Sequence, residues 1–129
     1  MSDESYAPRP DTSTTRGLPV AISTTFDIPG MQVTRYLGSC FGVVVRSMGF
    51  AKGIGAAFKS LAGGEVRQYT ELLEDSRRHA VDRMVANAQV LGANAIVGMR
   101  FDSSEIGQNL TEIVAYGTAV IVEPAGPTP

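Results

Sequence analysis

The chain offers soft metal ions one thiol and one imidazole, two of the ligand types that such ions prefer. They are Cys40 and His79, its only cysteine and histidine, and they stand in different predicted elements with no Cys-x-x-Cys pair. A metal site made from them would need symmetry copies in an oligomer. The sequence favours the alternative, in which Cys40 is a small buried apolar residue and His79 is solvated on a polar helix face.

Oxygen ligands for a harder cation surround a predicted hairpin near the C-terminus. The three carboxylates are those of Asp102, Glu105 and Glu112. Their spacing does not follow the calcium loop of an EF-hand, whose ligands alternate along one short segment. A calcium or magnesium site at this hairpin is therefore the less favoured interpretation.

A glycine pair opens the longest predicted helix, and the free backbone N–H groups of such a helix start can hold an anion. Gly63 and Gly64 form the pair, and the cations Lys52, Lys59 and Arg67 lie nearby in the sequence. These five residues are the candidate anion or small-ligand site. The alternative, which we favour, is that the glycines only permit a tight corner and close packing.

The motifs of the common enzyme classes are missing from this sequence. There is no Ser/His/Asp spacing, nucleophile elbow, P-loop or His-Glu-x-x-His. The Gly53-Ile54-Gly55 tripeptide is not flanked as the strand-to-helix turn of a dinucleotide-binding unit. We therefore predict a protein that is not an enzyme and needs no cofactor. An uncharacterised enzyme with a pocket between subunits is kept as an alternative.

Composition indicates one small soluble domain. The chain has 129 residues, 43% of them hydrophobic, and a net charge of −2, so nothing in it favours nucleic acid or an anionic membrane as a partner. No apolar run approaches the length of a membrane-spanning helix, and the start lacks the pattern of a secretory signal. A single cysteine cannot form an internal disulfide, which makes the cytoplasm the expected location.

A long helix over residues 65–91 is the element around which the rest of the chain is predicted to be organised. Apolar residues recur there at three- and four-residue steps, in a stripe wide enough to pack on a sheet. Glu74 and Arg78 form a favourable pair four residues apart, and Gly92 suits a left-handed stop. The stripe consists of Val66, Tyr69, Leu72, Leu73, Ala80, Val81, Met84, Val85, Ala88 and Leu91.

Strands are predicted on both sides of this helix. A short one covers residues 18–25, and a long one covers residues 32–47, where Gly38 and Gly42 mark a bulge or a bend that splits it in two. Residues 95–102 and 110–122 form a hairpin joined by a loop over 103–109. The predicted fold class is α+β with an antiparallel sheet. One domain spans 18–123, between a disordered tail over 1–17 and a flexible one over 124–129.

The last strand is apolar on both faces, whereas a strand with one face in water alternates apolar with polar residues. One face carries Ile113, Ala115, Gly117, Ala119 and Ile121, and the other carries Val114, Tyr116, Thr118, Val120 and Val122. One helix covers only one face of a sheet, so the second face must be covered by another element. We therefore predict a homo-oligomer in which Val114, Tyr116, Val120 and Val122 lie at the interface.

A short amphipathic helix is predicted over residues 51–61, in the segment between the long strand and the long helix. Its apolar residues include Phe50 and Phe58, which precede and occupy the helix, and its polar side carries Lys52 and Lys59. We expect Phe50 and Phe58 to lie in the subunit interface. Contact with a membrane surface is the alternative, since interfacial helices have the same character.

Three short sequences together resemble one family of small bacterial proteins. They are Gly63-Gly64-Glu65, then Leu91-Gly92-Ala93-Asn94-Ala95, then Gly117-Thr118-Ala119. Over residues 24–122 the chain is similar to the YbjQ-like family, also called UPF0145, a domain of unknown function described as binding heavy metals. The resemblance implies a dodecin-like β-α-β-β subunit that assembles as a homopentameric ring. The loop before Gly63 departs from the family, because it carries lysines where many relatives have an acidic residue.

The predicted function is that of a non-enzymatic binding or scaffold protein whose partner is itself and whose ligand is unknown. Its leading alternative is a metal-binding protein with a site shared between subunits.

Overall fold

One helix lies on one face of a four-stranded sheet in the part of the chain that the computed structural model describes, residues 20–47 and 67–127. The strands are β1 (Ala21–Ile22), β2 (Met31–Ser47), β3 (Ala95–Gly107) and β4 (Leu110–Pro124), and the helix is α1 (Arg67–Val90). The short helix predicted over 51–61 and the tail predicted over 1–17 fall outside the described residues. The α+β class is confirmed.

The strand order is β1-β3-β4-β2. Both β2 and β3 run antiparallel to β4, which lies between them. β2 and β3 are therefore parallel to each other, and α1 is the crossover that joins them, as in a split β-α-β unit. β4, the last strand in the sequence, is thus the centre of the sheet.

The sheet is mixed, so the prediction of a fully antiparallel sheet was wrong at one edge. β1 pairs in parallel with β3, with Ala21 beside Ala95 and Ile22 beside Ile96. The reason is the path of the chain, since β1 and β2 lie at opposite edges. The connection over residues 23–30 must cross the sheet, and it does so on the face that α1 leaves free, where Ile28 packs against the cluster of Ala95, Val97, Val120 and Val122.

Helix α1 buries the central part of the apolar stripe that its sequence predicts, whereas Leu73 and Leu91 of that stripe are 36% and 44% exposed. Ala80, Met84 and Ala88 are fully buried against the sheet. The helix ends one residue earlier than predicted, at Val90, because Gly92 adopts a positive φ of 88° and the Ala93 N–H donates to the Ala88 carbonyl at 3.0 Å. This left-handed cap is the stop that the sequence indicated.

The two glycines of β2 have different roles, and the strand is continuous over its 17 residues. At Gly38 (φ 113°) the pairing with β4 shifts, which confirms the predicted bulge. Gly42 is instead the point where α1 approaches most closely, because a Cβ there would overlap backbone atoms of Ala80 and Met84. Its hydrogen side chain sets the distance between helix and sheet.

The hairpin is longer than predicted, and most of the predicted loop over 103–109 is strand. Ser103 pairs with Ile113 and Glu105 with Thr111, so β3 reaches Gly107. Only two residues turn the chain, and the second, Asn109, has a φ of 62°. Asparagine accepts this left-handed conformation more readily than most residues, which explains why so short a turn is possible.

Candidate functional site

Cys40 lies in the core between β2 and α1 and is only 2% exposed. Its Sγ contacts the carbonyl oxygen of Gly117 at 3.7 Å. Burial raises the pKa of the Cys40 thiol, since a thiolate loses its hydration there. Soft metals bind the thiolate and not the thiol, so this environment opposes the role of metal ligand.

His79 occupies a different environment, on the exposed side of α1. Its Nδ1 accepts a hydrogen bond from Nη2 of Arg46, whose Nε donates to Oγ of Ser76 at 3.0 Å. The Ser76 hydroxyl in turn donates to the Leu72 carbonyl at 2.7 Å. His79 is thus held by a network that joins α1 to the end of β2, and an arginine occupies one of its two ring nitrogens.

The structure does not bring Cys40 and His79 together within one chain. Cys40 stands six residues before Arg46, the partner of His79, which is about 20 Å along an extended strand. Among the described residues no group of three or more cysteine, histidine or acidic side chains converges as a metal site would require. Because Cys40 is also buried, a copy of it in another subunit could not be reached without opening the core. The donor set of a single chain therefore does not fit a soft metal.

The buried thiol has a consequence for stability in alkaline solution. An unfolded Cys40 ionises near its ordinary pKa of 9.0, while the folded one stays neutral to a higher pH. The stabilising contribution is complete below the unfolded pKa and is lost as pH rises through the folded one. We expect the free energy of unfolding to fall more steeply above pH 9 in the wild type than in Cys40→Ala. Urea unfolding at neutral and alkaline pH measures this difference, and equal slopes would contradict it.

The three carboxylates proposed for a hard cation do not share one face of the hairpin. Asp102 pairs with Val114, and Glu112 pairs with Ser104, so both point away from α1. Glu105, beside Thr111, points to the opposite face. Two carboxylates on one face leave a calcium ion short of ligands. The predicted anion site falls outside the described residues, except for the backbone of Arg67, where α1 begins.

In the part of the chain that the structure describes, an apolar surface remains uncovered on the side of the sheet opposite α1. We call it the open face and define it as Phe41, Val43, Val45, Val114 and Tyr116. The register places Phe41 beside Tyr116 and Val43 beside Val114, so residues of β2 and β4 form one surface. Phe41 is 57% exposed, Val45 49% and Tyr116 43%. Aromatic and branched side chains this exposed, and adjacent to one another, are typical of a contact surface.

The predicted interface residues divide into two groups. Val114 and Tyr116 belong to the open face. Val120 and Val122 are instead buried within the chain, where Ile28 and Val33 cover them. They therefore have little surface left for a partner. The sequence did not reveal this because the cover comes from the crossing connection, whose only large apolar residues are Phe26 and Ile28. The other two predicted interface residues, Phe50 and Phe58, lie outside the described residues.

The sequence also did not identify a shallow groove between α1 and β3. Its volume is about 190 Å³, and Val81 and Phe101 provide its apolar lining. The Arg77 guanidinium lies 4.7 Å from the centre of the Phe101 ring, and Glu74 forms an ion pair with Arg78 at 3.5 Å. The groove exists because α1 packs mainly on β2 and β4 and reaches β3 only at its margin.

Two helix side chains reach past the opposite edge of the sheet, at β2. Arg83 Nη1 donates to the Val43 carbonyl at 2.7 Å, and Asn87 Nδ2 donates to the Phe41 carbonyl at 2.6 Å. Carbonyls two residues apart on an edge strand point the same way, so these donors occupy part of the edge that another strand could have used.

Comparison with known proteins adds a family and a fold. The YbjQ family model, described as "Putative heavy-metal-binding", matches residues 20–123. A UPF0145 protein of Bradyrhizobium sp. (strain ORS 278) is 57% identical over 104 residues, covering 81% of this chain and 94% of that protein. A UPF0145 protein of Methanoregula boonei is 50% identical over 105 residues, covering 81% of this chain and 87% of that protein.

A solved structure has the same fold. It is the crystal structure of a protein of unknown function of the DUF74 family from Pediococcus pentosaceus ATCC 25745, with a TM-score of 0.53 at 12% identity. The match covers 81% of this chain and 98% of that one. Within the described residues, α1 is not long and apolar enough to cross a membrane.

Proposed function

This chain belongs to the YbjQ-like family, also called UPF0145, and from that premise we propose that it is a non-enzymatic binding or scaffold protein that works as a homopentameric, dodecin-like ring. The observation that carries the proposal is the open face. An assembly would bury its exposed phenylalanine and tyrosine, which monomers seldom leave in contact with water. The number five comes from the family resemblance, and the cytoplasmic location rests on the single cysteine.

A ring suits this subunit because the two edges of its sheet are chemically different. Head-to-tail contacts between unlike surfaces close into rings, whereas a two-fold dimer joins a surface to its own copy. The β2 edge is occupied by helix side chains. On the opposite side of the sheet, where β1 pairs with only the first two residues of β3, a groove lies between α1 and β3. The open face lies between these two sides of the sheet, and contact with neighbouring copies of the chain would cover it.

Charged residues on the open face are expected to break the assembly. Native mass spectrometry of the wild type should give about five times the subunit mass of 13.6 kDa. The double variant Phe41→Lys, Tyr116→Lys should give mainly monomers, because each buried lysine in an apolar contact costs several kcal/mol, roughly the energy of an interface hot spot. Both side chains are well exposed in one chain, so the circular dichroism spectrum should not change.

The matched control is Val90→Lys, since Val90 is 86% exposed at the end of α1 and lies off the open face. That variant should assemble as the wild type does. A wild-type protein that is monomeric at micromolar concentration would contradict the proposal, and so would a fully assembled double variant.

A second candidate function is metal binding at a site shared between subunits, which is favoured by the description of the family as putative heavy-metal-binding. His79 is the described residue that could serve such a site, because it is exposed while Cys40 is buried. The same native mass spectra decide the question. A ring that carries the additional mass of a metal, and loses it in His79→Gln, would support metal binding.

A further inference from the structure

Strand β2 lies at the edge of the sheet, and half of its backbone groups point away from β4. The carbonyl oxygens of Phe41 and Val43 are among these groups. They accept hydrogen bonds from Asn87 and Arg83 of α1. Alternate residues of a strand point the same way, and the register with β4 has no shift in the second half of β2. The backbone N–H of Val45 therefore points to the same edge, next to the Val43 carbonyl.

Three side chains beside this edge present hydrogen-bond donors. Arginine can only donate, so in the contact between Arg46 Nη2 and His79 Nδ1 the imidazole nitrogen is the acceptor. The proton of the neutral His79 ring then lies on Nε2, which remains available as a donor on the exposed side of α1. The third side chain is that of Arg83, which lies one helical turn after His79 on the same side of the helix.

Both guanidinium groups are held in place by neutral partners. Arg46 donates through Nε to Ser76 Oγ at 3.0 Å, and Arg83 donates through Nη1 to the Val43 carbonyl at 2.7 Å. Within residues 20–47 and 67–127, neither arginine forms an ion pair with a carboxylate. A guanidinium has five N–H groups, so each arginine retains donors beyond these contacts. The edge therefore combines two uncompensated positive charges with donors whose orientation is already fixed.

We propose that this edge of β2 binds a small oxyanion of the phosphate type, held by Arg46, His79 and Arg83 and by the backbone N–H of Val45. Guanidinium groups form strong charge-assisted hydrogen bonds with phosphate oxygens. A tetrahedral ion suits the edge better than a planar carboxylate, because the two guanidinium groups extend from different elements, β2 and α1. Two arginines on a chain of net charge −2 are too few for a nucleic acid backbone, so the ligand is small.

All of these donors belong to one chain, so the inference goes beyond the proposed ring and does not depend on it. The site also differs from the anion site predicted at Gly63 and Gly64, which falls outside the described residues.

The test is isothermal titration calorimetry of the full chain with inorganic phosphate at constant ionic strength. The wild type should bind phosphate saturably. Arg46→Gln and Arg83→Gln should each weaken binding by about tenfold or more, because each removes charge-assisted hydrogen bonds to the ion. Thermal melts establish that the variants fold. Arg83→Gln keeps a donor for the Val43 carbonyl, so it tests the site even if Arg46→Gln is destabilised by the loss of its contact with Ser76.

Arg35→Gln is the matched control, since Arg35 is an exposed arginine in the first half of β2, away from this part of the edge. It loses the same charge and should bind phosphate as the wild type does. A wild type that shows no saturable binding at millimolar phosphate would overturn the proposal. Equal weakening in Arg35→Gln and Arg83→Gln would also overturn it, because the attraction would then come from net charge alone.

A second titration, with glycerol phosphate, distinguishes two sources of the same chemistry. The edge is open to solvent, so a substituent on one phosphate oxygen can extend away from the protein. Binding at least as tight as that of inorganic phosphate would support a phosphorylated small molecule as the ligand. Much weaker binding would support the free ion. In both cases Arg83→Gln should weaken the binding, and a titration that this variant leaves unchanged would contradict the site.

Discussion

Gly42→Ala is expected to cost the subunit about 3 kcal/mol of unfolding free energy, at the upper end of what overpacked cores lose. The added Cβ would overlap the Ala80 carbonyl oxygen and the Met84 amide nitrogen, and would lie 2.7 Å from the Arg83 Cβ. Two of these are backbone atoms, which no rotamer change can move away. The helix would have to lift from β2, and the burial of Met84 and Ala88 would weaken with it.

Urea unfolding followed by circular dichroism measures the loss. The matched control is Gly126→Ala, because Gly126 has no neighbouring atom within 4 Å of its added Cβ. That change should stay within about 0.5 kcal/mol of the wild type, as surface substitutions usually do. A loss below about 1 kcal/mol for Gly42→Ala would show that α1 can shift at little cost, and that the close approach does not determine its position.

Met84→Ala is expected to cost roughly 2–5 kcal/mol, the range for removing a large buried aliphatic side chain. Met84 lies at the centre of the contact between α1 and the sheet and is the largest of the fully buried side chains. Its loss leaves a cavity between two backbones that cannot close, because Gly42 already holds them at their nearest distance. Met84→Leu, which nearly conserves volume, should cost less than about 1.5 kcal/mol.

Thermal and urea unfolding of these variants test the expectation, with Val90→Ala as the exposed control. Val90 is 86% exposed, so its truncation should change stability by no more than about 0.5 kcal/mol. Equal losses for Met84→Ala and Val90→Ala would mean that α1 is not held by its apolar stripe.

The sequence was most informative where one periodic pattern determines one element. The stripe through Ala80, Met84 and Ala88 predicted α1 almost to its last residue, because glycine at position 92 has an unambiguous role as a left-handed cap. The bulge at Gly38 was likewise predicted from glycine in a strand. Gly42 carried the same signal but has a different role, since only the three-dimensional position of α1 distinguishes a bulge from a close approach.

Features that depend on the path of the chain were not predictable. The parallel pairing of β1 and the burial of Val120 and Val122 both follow from the crossing connection. No local sequence pattern indicates the path of that connection. The hairpin was predicted too short because Ser103 to Glu105 are polar, although backbone pairing with β4 does not depend on apolar side chains. For the candidate site, the sequence indicated the open face from Val114 and Tyr116, but Phe41 joined it only through the register of β2 and β4.

The central place of β4 governs the order in which this chain can fold. β2, α1 and β3 precede it in the sequence, yet neither β2 nor β3 has its main pairing partner until β4 is present. Met31 pairs with Pro124, so the sheet closes through contacts between distant parts of the chain, and such contacts form slowly. During synthesis, β2 and β3 therefore keep unpaired edges until β4 has been translated. These unpaired edges can pair with the strands of neighbouring nascent chains. The subunit therefore depends on β4 both to fold and to avoid aggregation.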